Sequence, residues 1–294
     1  MMNNGNALFL GILLSLVGSF WALLLAPQLQ IGRAQLRQLE GGSGQYPNPR
    51  PGLALRGEEV YRSLGCAECH TRQVRQSGVE FEVVVKDIGT NKAAIVAALG
   101  TPDADQLLNK LPATVARHLT VKQAQKLASA VLGVGGEAAA IIVPLGPDIQ
   151  RGWGARLSVA QDYLYDEPVL LGNLRYGPDL ANFGHRLGSV DDLHKHLYDS
   201  ALVVPGSPMP PYRFLYQPQS LPKGADVPAG AVVLTPSGTN SAAAGEMILP
   251  TEKAVALAAY LASLKSDAML FEAPRPKPAM PAPAATNNAA APAK

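Results

Sequence analysis

The stretch Gly65 to His70, which reads GCAECH, limits the possible folds and functions of this chain more than any other. Cys66 and Cys69 are its only two cysteines, and His70 follows them directly. The spacing Cys-x-x-Cys-His is the attachment signature of c-type haem. Two thiols about one helical turn apart can add to the two vinyl groups on one porphyrin edge. The sequence therefore predicts one covalently bound haem c, with His70 as the proximal ligand of the iron.

A thioredoxin-like redox pair is the main alternative use of these cysteines. Such a pair is expected beside a βαβ pattern and does not require the histidine. No disulfide or four-cysteine zinc site competes for the two thiols, because the chain has no other cysteine.

Composition gives no support for a nucleic-acid partner and favours a loop-rich fold. The 25 basic and 23 acidic residues leave a formal net charge of +2, so net charge gives no argument for nucleic-acid binding. Charged residues make up only 16% of the chain, beside 25 prolines and 28 glycines. This composition suits a domain with many turns and linkers, whose core a haem helps to fill.

An apolar run near the N-terminus predicts a membrane anchor. No charged residue precedes Arg33, and the run from Ala7 to Ala26 has about 20 residues, enough to span a bilayer. A cleaved signal peptide is the alternative, but it calls for a basic start and a small-x-small cleavage site. We therefore expect an uncleaved single-pass anchor in a bacterial inner membrane. Because covalent haem c is normally attached outside the cytoplasmic membrane, we expect the haem domain in the periplasm.

Shifts in composition divide the chain into parts. The predicted parts are an anchor and its exit (1–32), a linker (33–56), a haem domain (57–77 and 146–270), an inserted α/β domain (78–145) and a disordered tail (271–294). Within the haem domain, residues 217–248 are rich in Pro, Gly, Ser and Ala and predict a long surface loop. Residues 250–265 predict an amphipathic helix.

The insert has its own pattern of strands and helices. Residues 81–85 and 139–143 predict strands, and residues 91–99 predict a helix. Residues 120–132 predict a second helix that begins with a capping box of Thr120 and Gln123.

Met209 is the predicted sixth ligand of the iron. It lies in the sequence Ser-Pro-Met-Pro-Pro, where prolines restrict the backbone. Ligation by histidine and methionine raises the reduction potential and suits electron transfer. A methionine that only fills a gap in the core is one alternative. The other is ligation by one of the remaining histidines, His118, His185, His194 or His196. His194 and His196 lie two apart on a predicted helix and so do not share a face; we expect them to be solvated or to face a partner.

Pro178 and a group of arginines are further candidates around the haem. The carbonyl of Pro178, in Gly-Pro-Asp-Leu, is predicted to accept a hydrogen bond from the ring N–H of His70 and so to fix its tautomer. An ordinary Gly-Pro turn is the alternative. Arginine matches carboxylates well, so Arg175 and Arg75 are the first candidates to bind the haem propionates. A solvated surface charge is the alternative for each arginine.

The insert resembles a known domain. The stretch FEVVVKDIGTNKAAIVAAL, followed by LPATVARHLTVKQAQKLASAVLGVGGEAA, resembles the C-terminal domain of the bacterial ribosomal stalk protein. The shared order is strand, helix, short helix, strand, helix, strand. The basic helix with which that family recruits translation factors is shortened here to residues 103–110. The resemblance therefore implies an interaction or spacer module and no role in translation.

The remaining motifs resemble the class I cytochrome c fold. A helix leading into Cys-x-x-Cys-His, then Gly-Pro-Asp-Leu, a methionine loop and a C-terminal helix occur in that order. CHTRQVR, RLSVAQDYLYDEPVLLGNLRYGPDLANFGHR and HLYDSALVVPGSPMPPYRFLY resemble subunit II of cbb3-type cytochrome c oxidases. The resemblance covers residues 7–77 and 150–216, and the insert departs from it. It implies a mainly α fold: a class I cytochrome c domain on one N-terminal transmembrane helix, with a small inserted α/β domain.

This resemblance implies an electron relay that is not catalytic alone. Such a subunit takes electrons from a second cytochrome c subunit or another donor and passes them to the haem-copper large subunit. Two related functions stay open: a stand-alone membrane-anchored carrier and the small subunit of a nitric oxide reductase. A haem enzyme or sensor with an open sixth position is a third, and an interaction scaffold built on the insert is a fourth.

Overall fold

The structure is a computed structural model that describes residues 4–30, 35–39, 44–222, 226–234, 245–270 and 273–274. The chain forms two compact units. Unit 1 comprises residues 1–75 and 148–273, and unit 2 comprises residues 76–147 and 274–294. Apart from residues 273 and 274, the tail predicted at 271–294 lies outside the described residues.

The described residues form short helices and strands. The helices are α1 (Asn4–Phe20), α2 (Ala26–Gln30), α3 (Gly52–Ser63), α4 (Cys66–Cys69), α5 (Lys92–Leu99), α6 (Ala104–Leu107), α7 (Val121–Gly133), α8 (Pro147–Gln150), α9 (Phe183–Arg186), α10 (Val190–Tyr198) and α11 (Glu252–Ser263). The strands are β1 (Arg37–Gln38), β2 (Gln45–Tyr46), β3 (Gly78–Asp87), β4 (Ala113–Leu119), β5 (Glu137–Leu145), β6 (Tyr216–Leu221), β7 (Val232–Leu234) and β8 (Gly245–Pro250). A π-helical turn joins α1 to α2 (Trp21–Leu25), and 3₁₀ turns lie at Ala160–Tyr163, Ser200–Leu202 and Arg213–Leu215.

The N-terminal helices coincide with the predicted anchor. The helical stretch Asn4–Leu29 has 26 residues and a mean hydropathy of 2.4, and none of its apolar window is buried. Within the described residues it is the one helix long and apolar enough to cross a bilayer. A signal sequence has the same character, so retention of this helix in the mature protein stays a prediction.

The core of unit 1 forms where α3 crosses α11. Gly57 permits the crossing, because a Cβ there would lie 1.9 Å from the carbonyl oxygen of Ala256 and 2.7 Å from Cβ of Tyr260. One turn further along α3, the ring of Tyr61 packs on Tyr260 with centroids 5.2 Å apart. α11 confirms the amphipathic helix predicted over residues 250–265, and the Thr251 side chain caps its first turn.

A three-stranded antiparallel sheet in the order β6-β8-β7 corrects one prediction for unit 1. Its strands include residues 217–221, 232–234 and 245–248 of the segment 217–248, which the composition predicts to be a long surface loop. Val232 and Ile248 are paired across β7 and β8 and are both buried, so these strands contribute to the core. Pro218 is tolerated because β6 is an edge strand.

The sheets also modify the expected fold class. The described residues contain three separate sheets, one of them in unit 2, so helix and strand are mixed more evenly than a mainly α fold implies. The class I cytochrome c arrangement stays a prediction.

Unit 2 is an antiparallel sheet in the order β4-β3-β5 that shares one core with α5, α6 and α7. Val83 and Val85, two apart on β3, point to the same face and are fully buried beside Ile95 and Val131. The Thr120 and Gln123 capping box is formed as predicted. The element order strand, helix, short helix, strand, helix, strand is also confirmed.

Candidate haem-binding site

A cavity of about 610 Å³ in unit 1 contains most of the predicted site residues. Cys66, Cys69 and His70 contribute to its wall, and so does Met209. Most of the other lining side chains are apolar and come from α9, α10, α11 and the loops beside them: Leu180, Phe183, Leu193, Leu197, Val204, Leu257 and Leu261. An apolar cavity with a few convergent polar groups is typical of a cofactor site.

The two cysteines share one helical turn. Gly65, with φ of 69°, lets the chain turn between α3 and α4. Both thiols are free, with Cys66 half-buried and Cys69 exposed. Burial raises the pKa of the Cys66 thiol to about 11, although a hydrogen bond with the Tyr212 side chain opposes the shift. All strand pairs among the described residues are antiparallel, so the parallel βαβ setting of a thioredoxin-like pair is not found there.

The contact predicted between His70 and Pro178 is present. Nδ1 of His70 lies 2.9 Å from the Pro178 carbonyl oxygen, a distance suited to an N–H donor. The proton is thereby assigned to Nδ1, and Nε2 keeps its lone pair. Burial lowers the pKa of His70, although the Pro178 hydrogen bond opposes the shift. The imidazole is therefore neutral near pH 7, as a metal ligand must be.

Residues 171–180, named here the proximal strap, run alongside the haem motif. Gly177 packs on the histidine ring so closely that a Cβ there would lie 2.2 Å from Cε1 of His70 and 2.6 Å from Nδ1. Sequence reasoning missed this contact, although the Gly-Pro pair was the signal that could have indicated it. Backbone hydrogen bonds hold the strap: Asn173 to Ala67 (3.2 Å), Gly177 to Cys69 (3.0 Å), Leu180 to Thr71 (2.8 Å) and Arg72 to Leu171 (2.8 Å).

Met209 is half-buried and both of its backbone groups are hydrogen-bonded. Its carbonyl accepts from the Ser200 hydroxyl at 2.8 Å, and its N–H donates to the Ser207 hydroxyl at 3.3 Å. The flanking prolines restrict the same loop further. The backbone at Met209 is thus restrained while its side chain lines the cavity that His70 also lines.

The other histidines occupy four different environments. His196, named above among the alternative ligands, lines the cavity. His194 is buried, with Nδ1 3.0 Å from the Tyr216 hydroxyl, so the prediction that it is solvated is wrong. β6, which supplies Tyr216, was not predicted, and its hydroxyl satisfies the buried ring. Nε2 of His185 lies 3.0 Å from Oδ1 of Asp267, and His118 belongs to unit 2.

The two arginines proposed for the haem propionates do not line the cavity. Arg175 donates from Nη1 to Asp148 (2.6 Å) and from Nη2 to the Gln73 carbonyl (2.5 Å). Arg75 has an exposed side chain, and its backbone N–H donates to Asp148 at 2.7 Å. Their binding to propionates stays a prediction.

The residues of the cavity fit a haem c. Two free thiols, the His70 imidazole with an available Nε2, the His196 imidazole and one thioether line a mostly apolar space. The hydroxyl of Tyr61, which also lines the cavity, is buried and has no hydrogen-bond partner among the described residues. Buried hydroxyls are rarely left unpaired, so this one indicates that a polar group of a ligand belongs nearby.

Comparison with known proteins supports the same cofactor. Residues 138–235 match the family described as "Cytochrome C oxidase, mono-heme subunit/FixO". A search of curated proteins finds no match. The matched segment contains the proximal strap and the Met209 loop, but begins after the Cys-x-x-Cys-His motif.

The comparison does not support the resemblance of the insert to the ribosomal stalk protein. The element order agrees with that resemblance, but β5, the last strand of the insert, lies almost wholly inside the match to the oxidase subunit. An order of strands and helices is shared by unrelated domains, so it does not establish kinship. Over residues 138–235 the chain is similar to the mono-haem cytochrome c subunit of an oxidase, which supports a haem c cofactor and a role in electron transfer.

Proposed function

We propose that this chain is the electron-transfer subunit of a membrane-bound respiratory terminal oxidase. It carries one haem c and passes electrons to a haem-copper catalytic subunit. The proposal rests mainly on one observation: one apolar cavity is lined by Cys66, Cys69, His70 and Met209. The family match covers the strap and the methionine loop that complete this cavity.

The two thiols attach the haem. Each S–H adds across one vinyl group, so that sulfur bonds to carbon, the proton completes the ethyl carbon, and no oxidant is needed. Cys66 and Cys69 lie on one turn of α4, so both sulfurs could reach the same porphyrin edge. When bound, haem c supplies a one-electron ferric–ferrous couple.

In this proposal His70 and Met209 would hold the haem iron, the first through imidazole Nε2 and the second through its thioether sulfur. Pro178 orients the imidazole by accepting a hydrogen bond from Nδ1, and a soft thioether ligand would favour the ferrous state. The leucines that line the cavity would keep water from the metal, which would also raise the potential. His196 is the runner-up for the sixth position, because it is the other described histidine that lines the cavity.

The anchor and the family description support the proposed partners. The apolar stretch Asn4–Leu29 holds the chain in the bacterial inner membrane, and the haem domain lies in the periplasm. A second cytochrome c subunit or another donor delivers electrons, and the haem-copper large subunit accepts them. Tyr176 and Val204 line the cavity and are largely exposed, so the cavity opens at a surface that such partners can approach.

Purification of the tagged full-length chain from membranes in mild detergent tests this function. The expected eluate contains a large polytopic subunit, c-type and b-type haem in the reduced-minus-oxidised spectrum, and oxygen uptake. Nitric oxide consumption would identify a reductase subunit, and a c-type signal without a partner, also after crosslinking in intact membranes, would identify a stand-alone carrier. Either result overturns the proposal.

The matched control is the variant Cys66→Ala with Cys69→Ala. It should lose the haem stain on a denaturing gel while the polypeptide remains in the membrane. A stain that persists would refute attachment at these two cysteines.

A further inference from the structure

Asp148 is a buried carboxylate whose two oxygens have different partners. Oδ1 accepts from Nη1 of Arg175 at 2.6 Å, and Oδ2 accepts from the backbone N–H of Arg75 at 2.7 Å. Its side chain is only 2% exposed. Burial raises the pKa of Asp148, but these two donors outweigh the effect and hold the pKa below its usual range. The carboxylate is therefore charged at neutral pH.

Arg175 belongs to the proximal strap, so its ion pair with Asp148 joins the strap to that carboxylate. Its Nη2 donates to the carbonyl of Gln73 at 2.5 Å, so the guanidinium binds the segment that follows His70. The guanidinium also lies over the Trp153 ring, 5.8 Å from the centroid. Nη1 and Nη2 thus have partners outside the strap, and Nη2 also lies 3.7 Å from Oδ2 of Asp179 within it.

A second buried carboxylate holds the strap on the other side of Pro178. Oδ2 of Asp179 accepts from the Thr71 hydroxyl and from the N–H of Gln73, both at 2.7 Å. Its Oδ1 accepts from the N–H of Ala181 at 2.9 Å. The carbonyl that binds His70 therefore lies between two anchored side chains, Arg175 and Asp179.

We infer that Asp148 and Arg175 form a clamp that positions the proximal strap, and through Pro178 and Gly177 the ring of His70. The clamp consists of these two residues, and both are positioning residues because neither lines the cavity. This inference rests on the proposed function, since it concerns the orientation of the haem ligand.

The clamp also lies where unit 1 is interrupted. Arg75 is the last residue of unit 1 before residues 76–147, and Asp148 is the first one after them. The hydrogen bond between them brings the two chain ends together at one carboxylate. Residues 76–147 can therefore be inserted after the haem motif while the strap remains packed on His70.

The test compares Asp148→Asn, Arg175→Gln and the double variant in the membrane-bound holoprotein. The matched control is Glu137→Gln, which removes an exposed ion pair with Lys86 in unit 2. Two properties are measured: the reduction potential of the haem and the EPR g-values of its ferric form, which report the orientation of the axial imidazole.

The expected result is a change of g-values in both single variants, no larger change in the double variant than in Arg175→Gln, and none in the control. If the two charges acted only through their electric field, the potential would rise in Asp148→Asn and fall in Arg175→Gln, with g-values unchanged. That outcome would overturn the inference, and so would additive changes in the double variant.

Two further comparisons keep the test decisive. If Asp148→Asn does not accumulate, Arg175→Lys keeps the charge and the fold but cannot bridge two acceptors in the same way, so it should show the same change of g-values. Wild-type g-values in Arg175→Lys would refute the clamp. Absence of haem from the wild-type protein would instead refute the proposed function.

Discussion

Replacing Gly177 with alanine tests how closely the strap must approach the proximal ligand. The new Cβ would lie 2.2 Å from Cε1 of His70, whereas carbon atoms in contact lie about 3.5–4.0 Å apart. The ring or the strap must therefore move by more than about 1 Å. Such a movement would break the 2.9 Å hydrogen bond between His70 and Pro178.

The expected loss of stability has two parts. Overpacking of this kind costs about 1–3 kcal/mol, and the lost hydrogen bond adds about 1 kcal/mol. We expect the free energy of unfolding of Gly177→Ala to fall by roughly 2–4 kcal/mol. We also expect its reduction potential to rise, because loss of the hydrogen bond makes His70 a weaker donor to ferric iron.

Denaturant unfolding of the haem domain and a redox titration measure these two changes. Gly188→Ala is the matched control, because a Cβ there would meet no atom within 4 Å. If Gly177→Ala has the stability and potential of the wild type, the close approach of strap and ring is not what holds His70.

Three further predictions concern the second ligand, the charged clamp and the helix crossing. Met209→Ala should keep covalent haem and lower the reduction potential, whereas His196→Ala should leave the ligation unchanged; spectra showing the reverse would make His196 the ligand. Because the pKa of Asp148 is lowered in the folded state, its contribution to stability is present above about pH 4 and lost as the pH falls through the folded pKa. The stability gap between wild type and Asp148→Asn should therefore narrow in acid, and a gap that stays constant from neutral pH to about pH 2 would contradict a charged Asp148. Gly57→Ala should lower the free energy of unfolding by at least about 1–3 kcal/mol, because its Cβ would lie 1.9 Å from the Ala256 carbonyl; wild-type thermal stability would refute this packing.

Local chemistry explains which parts of the structure could be predicted. The haem motif is contiguous, so its two thiols and its histidine are brought together by a single turn of helix. The capping box at Thr120 and the helix over residues 252–263 depend on contacts between residues three or four apart. Such contacts can be identified from spacing alone.

The wrong predictions involve residues that are far apart in the sequence. The β6-β8-β7 sheet lies in a segment rich in proline and glycine, and its strands form because Val232 and Ile248 pair with each other and are buried. His194 is buried because Tyr216, 22 residues further along, offers its hydroxyl. Neither the pairing of Val232 with Ile248 nor the contact of Tyr216 with His194 can be recognised from composition or from hydrophobic periodicity.

The sequence by itself determined the haem attachment motif, the apolar N-terminal helix and most of the helices and strands of unit 2. Only the tertiary structure decided that Gly177 packs on His70 and that Arg175 binds Asp148 rather than lining the cavity. It also decided that His196 lines the cavity. The physical reason is the sequence separation of the contacts. Helices, caps and the Cys-x-x-Cys-His turn arise from residues that are neighbours along the chain. The ligand environment is set by hydrogen bonds that join residues as far as 108 positions apart.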